Sequence, residues 1–239
     1  MRYIPSQFFN DRQTNIDVLM FHCSAQPAQE MVDILNQAEL SCHYIVDTDG
    51  SVTKLVEENK RAWHAGLGSW REIKEDMNSH SIGIELSSPS LGQTPYPQQQ
   101  IESLIMLSKE IINRWHIKPQ NIIGHSDSAP TRKPDPGKAF PWQFLARHNI
   151  GLWYDISQAA QAPTADLKTL LAGIGYETSS PETFAASQYA FARRFLPEKV
   201  STVNDIQHLI DNVYPPTSDF SRDKQFIAVA QAVYMRFKA

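Results

Sequence analysis

Cysteine is scarce. Cys23 and Cys42 are the only two in 239 residues. They allow one disulfide at most, so the chain is no disulfide-stapled scaffold, and the thiols are expected to be free and buried. No window holds the roughly 18 apolar residues that a membrane-spanning helix needs. Residues 1–15, MRYIPSQFFNDRQTN, carry neither an apolar signal core nor a small-residue cleavage site. On that ground a cytoplasmic location is expected. An excess of basic charge is missing too: 22 Lys and Arg stand against 26 Asp and Glu, a net charge of −4. That argues against a nucleic-acid partner. Internal repeats and low-complexity tracts are absent.

What is present alternates between strand and helix up to about residue 155. IDVLMFHCSA (16–25) is a short apolar run that reads as a buried strand. PAQEMVDILNQAEL opens on a proline suited to a first helical turn and places Met31, Ile34, Leu35 and Ala38 at helical spacing. CHYIVDTDGSVTKLV reads as a hairpin about a primed Asp49-Gly50 turn. SIGIELSS (81–88) alternates Ile82, Ile84 and Leu86 with Gly83 and Glu85, PQQQIESLIMLSKEIINRWHI is a long amphipathic helix, and NIIGHSD is another short strand. This mixture predicts an α/β domain with a mixed sheet flanked by helices, over residues 1–155. From Pro163 the pattern changes. ADLKTLLAGIG, PETFAASQYAFARRFL, TVNDIQHLIDNVY and RDKQFIAVAQAVYMRF all read as helices, so residues 163–239 are expected to form a small all-α domain.

The stretch GHSDSAPTRKPDPG (124–137) is too proline-rich for a long helix and too polar for a buried strand. His22 and His125 stand at the carboxyl ends of two predicted strands, where sites in such sheets assemble. Asp135 follows on the loop that Pro130, Pro134 and Pro136 stiffen. Two imidazoles and a carboxylate suit Zn²⁺, whose catalytic sites use three protein ligands and leave a fourth position open. Prolines that restrict the loop beforehand reduce the entropy lost in ordering a ligand on it. The same residues also fit a hydrogen-bonded loop histidine and a turn aspartate before Pro136. Glu85, on the strand face opposite the isoleucines, points to solvent or to a cleft. Beside a metal-activated water it could serve as a base. Lys133 could steady an oxyanion there, or be a plain surface lysine.

VLMFHCSA, SCHYIVDTDGSVTKLVEENKRAWHAG, NSHSIGIELS and NIIGHSDSAPTRKPDPGKAFPW occur in this order. Together, over roughly residues 15–150, they resemble the zinc-dependent N-acetylmuramoyl-L-alanine amidase family, the type-2 amidase domain shared with peptidoglycan recognition proteins. The similarity is to its bacterial branch, and YAFARRFLPE resembles the helical peptidoglycan-binding-like module attached to some members. The resemblance implies zinc on His22, His125 and Asp135, Glu85 as general base and Lys133 as transition-state stabiliser. It implies hydrolysis of the amide between N-acetylmuramic acid and L-alanine in peptidoglycan or (anhydro)muropeptides, for wall turnover or recycling. Separately, a monomer is expected. The alternative within the family is a muropeptide-binding protein that does not cleave. A helical module is often found on exported relatives, so a periplasmic or wall-associated location stands beside the cytoplasmic one. Cys23, Trp63 and His64 are candidate substrate contacts, whereas His43 reads as structural. Cys23 and the LSSPSLG segment after Glu85 depart from the usual family pattern, which bears on substrate fit.

Overall fold

The computed structural model describes residues 1–211 and 219–238. Asn212, Val213 and Tyr214, the end of the predicted helix TVNDIQHLIDNVY, lie outside them. The strands are β1 (Arg2–Tyr3), β2 (Phe9–Asp11), β3 (Val18–Ser24), β4 (Tyr44–Val46), β5 (Val52–Lys54), β6 (Lys60–Ala62), β7 (Leu67–Trp70), β8 (Ile73–Asp76), β9 (Ser81–Ser87) and β10 (Ile122–Gly124). Six of them form one sheet in the order β1-β5-β4-β9-β3-β10. β4, β9, β3 and β10 run parallel, while β5 returns antiparallel to β4. The sheet is mixed, as expected. β2–β6 and β7–β8 are separate antiparallel pairs.

The helices are α1 (Ala28–Gln37), α2 (Met77–His80), α3 (Gln98–Trp115), α4 (His125–Ser128), α5 (Trp142–Arg147), α6 (Leu167–Ile174), α7 (Pro181–Phe195), α8 (Thr202–Asp211) and α9 (Lys224–Lys238). Pro27 and Pro97 stand immediately before α1 and α3. In α3 the buried Ile101, Leu104, Ile105, Ser108 and Ile111 recur at three and four residues and make one stripe. Asp166 caps α6 through the Thr169 amide, and Ser180 caps α7 through that of Thr183, just before Pro181.

Period-two alternation splits the sheet's side chains between two faces. Leu19 and Phe21 of β3, Ile82, Ile84 and Leu86 of β9, and Ile122 of β10 join the stripe of α3 and Trp142 and Leu145 of α5 in one core. Val18 and Met20 of β3 and Ile123 of β10 point the other way. There they share a core with Leu170, Leu171, Phe191, Phe195, Phe226 and Val233 from the C-terminal helices. Under β4, α1 closes a third cluster with Ile45, Leu55 and Val56. The second face is thus covered at both sides and left for polar groups in the middle.

The β4–β5 connection differs from a two-residue primed turn. Gly50 donates to the Asp47 carbonyl and Asp47 pairs with Ser51, so the loop is longer, with Gly50 at φ +82°. A Cβ at Gly50 would also sit 2.7 Å from the Gln99 carbonyl oxygen, so glycine is required there twice over. Among the described residues, no helix is long and apolar enough to cross a membrane.

Candidate metal centre

The register of the sheet makes the site. His22 of β3 lies directly opposite Glu85 of β9, so both side chains leave the same face, the one not covered by α3. His125 is the first residue after β10, which pairs with β3 on its other side. All three stand at the carboxyl ends of parallel strands, where open α/β sheets place their ligands.

His22 Nδ1 is 3.1 Å from His125 Nδ1 and 3.1 Å from Asp135 Oδ2, and His125 Nδ1 is 3.2 Å from that same oxygen. The three residues are buried and form a cluster able to hold a metal ion. Donors about 2.0 Å from a tetrahedral zinc ion stand about 3.3 Å apart, so this triangle matches one face of such a site. Its donor set of two imidazoles and one carboxylate fits zinc as well.

The far nitrogens of the two histidines are engaged, and this fixes which nitrogen faces inward. His125 Nε2 is 3.0 Å from the Ala65 carbonyl oxygen and therefore donates. His22 Nε2 is 2.9 Å from His64 Nδ1. His64 Nε2 is 3.3 Å from Ser81 Oγ, whose hydroxyl donates to the Met77 carbonyl at 2.6 Å. One proton arrangement satisfies the whole chain. His22 donates to His64, His64 to Ser81 and Ser81 to Met77, which leaves His22 Nδ1 as a free lone pair. Such outer hydrogen bonds orient metal-binding imidazoles. The loop that carries His64 and Ala65 is itself held by Asn78, whose Oδ1 accepts from the amides of His64, Ala65 and Gly66. His64 lies flat over β9, where a Cβ on Gly83 would come within 2.4 Å of its ring. Only glycine admits it.

Within the proline-rich stretch Gly124 ends β10, His125–Ser128 make the single turn α4, and the rest is loop. The Ser126 amide donates to the Asp135 carbonyl at 2.9 Å, which ties the two ligand-bearing ends together. Tyr96 donates to the Pro136 carbonyl at 2.7 Å, and the Ala139 amide to that of Gly92 at 2.9 Å. These bonds pin the loop to the segment after β9.

Burial sets the protonation states. It holds His22 down at about 4, although the neighbouring carboxylate of Asp135 pulls the other way, and holds His43 down at about 3. Both rings are neutral at pH 7. The carboxylate of Asp135 is kept well below its usual range by His125 and His22, against the opposing effect of burial. Glu85 moves oppositely: burial, then the charge of Asp135, push it up to about 8, while Lys133 counteracts. Its Oε2 is buried with no hydrogen-bond partner. An orphaned buried carboxylate oxygen is rare unless the site uses it.

These shifts predict a stability optimum for the metal-free protein. Below about 6.5, unfolded histidines take up protons that folded His22 and His43 refuse, so stability falls as pH drops toward 4. Above 6.5 only Glu85 acts, because its folded carboxyl still holds a proton that the unfolded chain has lost from 4.5 upward, so stability falls again up to about 8. Urea midpoints of the stripped protein should peak between about pH 6 and 7. Glu85→Gln should remove the alkaline limb; a midpoint still falling above pH 7 in that variant would contradict the assignment.

The structure therefore brings His22, His125, Asp135 and Glu85 together, with Lys133 near enough for its charge to act on both His22 and Glu85. The candidate substrate contacts fall elsewhere. Cys23 alternates to the opposite face of β3 and packs against the α3 core. Burial, then Asp135, push its thiol well above its ordinary value, so it is protonated and turned away from the donor triangle. His64 stands behind His22 as its hydrogen-bond partner. Trp63 lies against Phe8 at 6.2 Å and donates to Asn10. His43 is structural, accepting from the Gly83 amide at 3.0 Å. Sequence reasoning missed Asn78, Ala65 and Ser81. All three lie inside the family-like blocks, but they act through an amide oxygen, a backbone carbonyl and a small hydroxyl that carry no pattern of their own.

A three-donor cation site at the strand ends of a mixed sheet, facing a carboxylate with a free oxygen, defines the class: the layout of a mononuclear metal-dependent hydrolase. Within that class the chain belongs to the N-acetylmuramoyl-L-alanine amidase family, whose model matches residues 12–138. It is 38% identical over 192 residues to the N-acetylmuramoyl-L-alanine amidase AmiD of Escherichia coli, covering 70% of this chain and 69% of that protein. The solved complex of that enzyme with anhydro-N-acetylmuramic acid-L-Ala-D-γ-Glu-L-Lys superposes with a TM-score of 0.75 at 29% identity, over 96% of this chain and 98% of the other. AmpDh3 of Pseudomonas aeruginosa, in complex with an anhydromuramic pentapeptide, gives 0.73 at 26% identity over 100% and 98%. The 1,6-anhydro-N-acetylmuramyl-L-alanine amidase AmpD of Enterobacter cloacae is 44% identical over 103 residues, 43% of this chain and 54% of its own length. The two superpositions extend through the C-terminal helices; the AmpD match spans about half of that protein.

Proposed function

We propose that this chain hydrolyses the amide bond between the lactyl group of N-acetylmuramic acid and the L-alanine of the stem peptide, with a zinc ion held by His22, His125 and Asp135. The observation that carries this reading is the triangle of donors 3.1–3.2 Å apart beside the unpartnered Oε2 of Glu85. When bound, zinc supplies Lewis acidity toward the scissile carbonyl and brings the pKa of a water down to about 7.

Glu85 accepts the proton of the attacking water and returns it to the departing L-alanine amine. A carboxyl raised by burial is suited to that exchange near neutral pH. Lys133 compensates the negative charge that develops on the carbonyl oxygen; one such donor is typically worth about 10²- to 10³-fold in rate. His64 and Ala65 keep the two imidazoles aimed inward. With the ligand set, Glu85 and Lys133 all present, a binding-only role is not favoured.

Both structural relatives were solved with anhydromuramic peptides, which supports anhydro-muropeptides as the substrate class and recycling of wall fragments as the role. Mass spectrometry of an anhydro-muropeptide digest should show free anhydromuramic acid and a peptide that starts with L-alanine. A cut after the L-alanine, or no product from the zinc-loaded protein, would contradict the reading.

A further inference from the structure

A buried carboxylate joins the C-terminal helices to the start of the metal loop. Asp127 is the third residue of α4, two after His125, and is 1% exposed. Its Oδ2 accepts from the Gly124 amide at 2.9 Å and from Arg194 of α7 at 2.6 Å. Its Oδ1 accepts from the hydroxyl of Tyr176, just past α6, at 2.6 Å. Arg194 also donates to the Ile122 carbonyl at 3.1 Å and lies 4.0 Å over the ring of Trp142.

A helix of one turn has no stability of its own, since nucleation costs more than one turn returns. Whatever aims His125 must therefore come from outside α4. On one side it is the Ala65 carbonyl. On the other stand the Ser126–Asp135 backbone bond and the three donors around Asp127. Two of those donors come from the helical segment, residues 163–239 in the division we propose. Arg194 spans the end of β10 and the start of α4, so it sets the angle at which the chain leaves the sheet at His125.

We propose that Asp127 is a positioning residue for the metal centre, and that Arg194 and Tyr176 make the C-terminal helices part of the metal site's scaffold. This rests on the zinc reading above. Gln188, also of α7, is an internal control. It is equally buried, but its side chain accepts from the Phe220 amide at 2.7 Å, within the helical segment and not on the metal loop.

The test compares the zinc Kd of the full chain, by competition with a chromophoric chelator, with the unfolding midpoint of each metal-free variant. Tyr176→Phe should raise the zinc Kd about 10-fold and Arg194→Met about 10- to 100-fold, the range seen for outer-shell partners. Gln188→Leu should lower the unfolding midpoint and leave the zinc Kd unchanged. Tyr176→Phe keeps the ring and removes only the donor, so it decides the matter if Arg194→Met does not fold. Native zinc affinity in Tyr176→Phe, or equal losses in Gln188→Leu and Arg194→Met, would overturn the inference. A wild-type chain that binds no zinc would overturn the underlying reading along with it, and the wild-type titration alone reveals that case.

Discussion

His125→Ala is expected to lose zinc and turnover together. The variant removes one corner of a donor triangle whose sides are 3.1–3.2 Å, and two remaining ligands make an incomplete zinc site. Without the ion, several kcal/mol of transition-state stabilisation disappear, a fall of at least about 10³-fold in kcat. The chain itself should stay folded. His125 contributes no apolar side chain to the cores, and without it the Ala65 carbonyl still accepts from Arg132 at 3.3 Å. Far-ultraviolet circular dichroism should be native while metal analysis shows no zinc. A chelator acting on the wild type should reproduce the loss, and added zinc should reverse it in the wild type only. A variant that keeps turnover without zinc would remove the basis for a metal-dependent reaction.

Glu85→Gln separates chemistry from metal binding. Glutamine keeps the shape of the side chain and its place opposite His22 in the β3–β9 register, but accepts no proton. Glu85 is not one of the three donors, so zinc uptake should remain stoichiometric. Loss of a general base typically costs about 10²- to 10⁴-fold, and that fall should appear in kcat with KM nearly unchanged, since the proton moves only in the transition state. Near-native turnover with zinc bound would show that the unpartnered Oε2 has no part in the reaction.

The sequence pointed to the donors because each carries a local signature. His22 and His125 close short apolar runs, Asp135 stands between prolines, and Glu85 interrupts an alternation of apolar residues. Pairing of β3 with β9 and β10 then converges them without further information. What escaped the sequence depends on contacts across long separations or on single atoms. Tyr176 and Arg194 lie 49 and 67 residues from Asp127, and nothing in the helical periodicity of α7 distinguishes Arg194 from a solvated arginine. The same periodicity predicted the C-terminal helices, yet their packing on Val18, Met20 and Ile123 appears only when the second face of β3 and β10 is seen. Cys23 follows His22 within β3. One step of alternation from His22 turns its side chain to the opposite face. The β7–β8 hairpin escaped because LGSWREIKED has few apolar residues and turns through Arg71 at φ 56°, a conformation with no strong residue signature here.

X-ray absorption at the zinc edge of the loaded wild-type protein tests the central claim most directly. Two imidazoles, one carboxylate and a solvent oxygen predict four nitrogen or oxygen donors at about 2.0–2.1 Å, with outer-shell scattering from two rings. A sulfur donor at about 2.3 Å, scattering from three rings, or a protein that takes up no zinc at all would contradict the assignment of His22, His125 and Asp135.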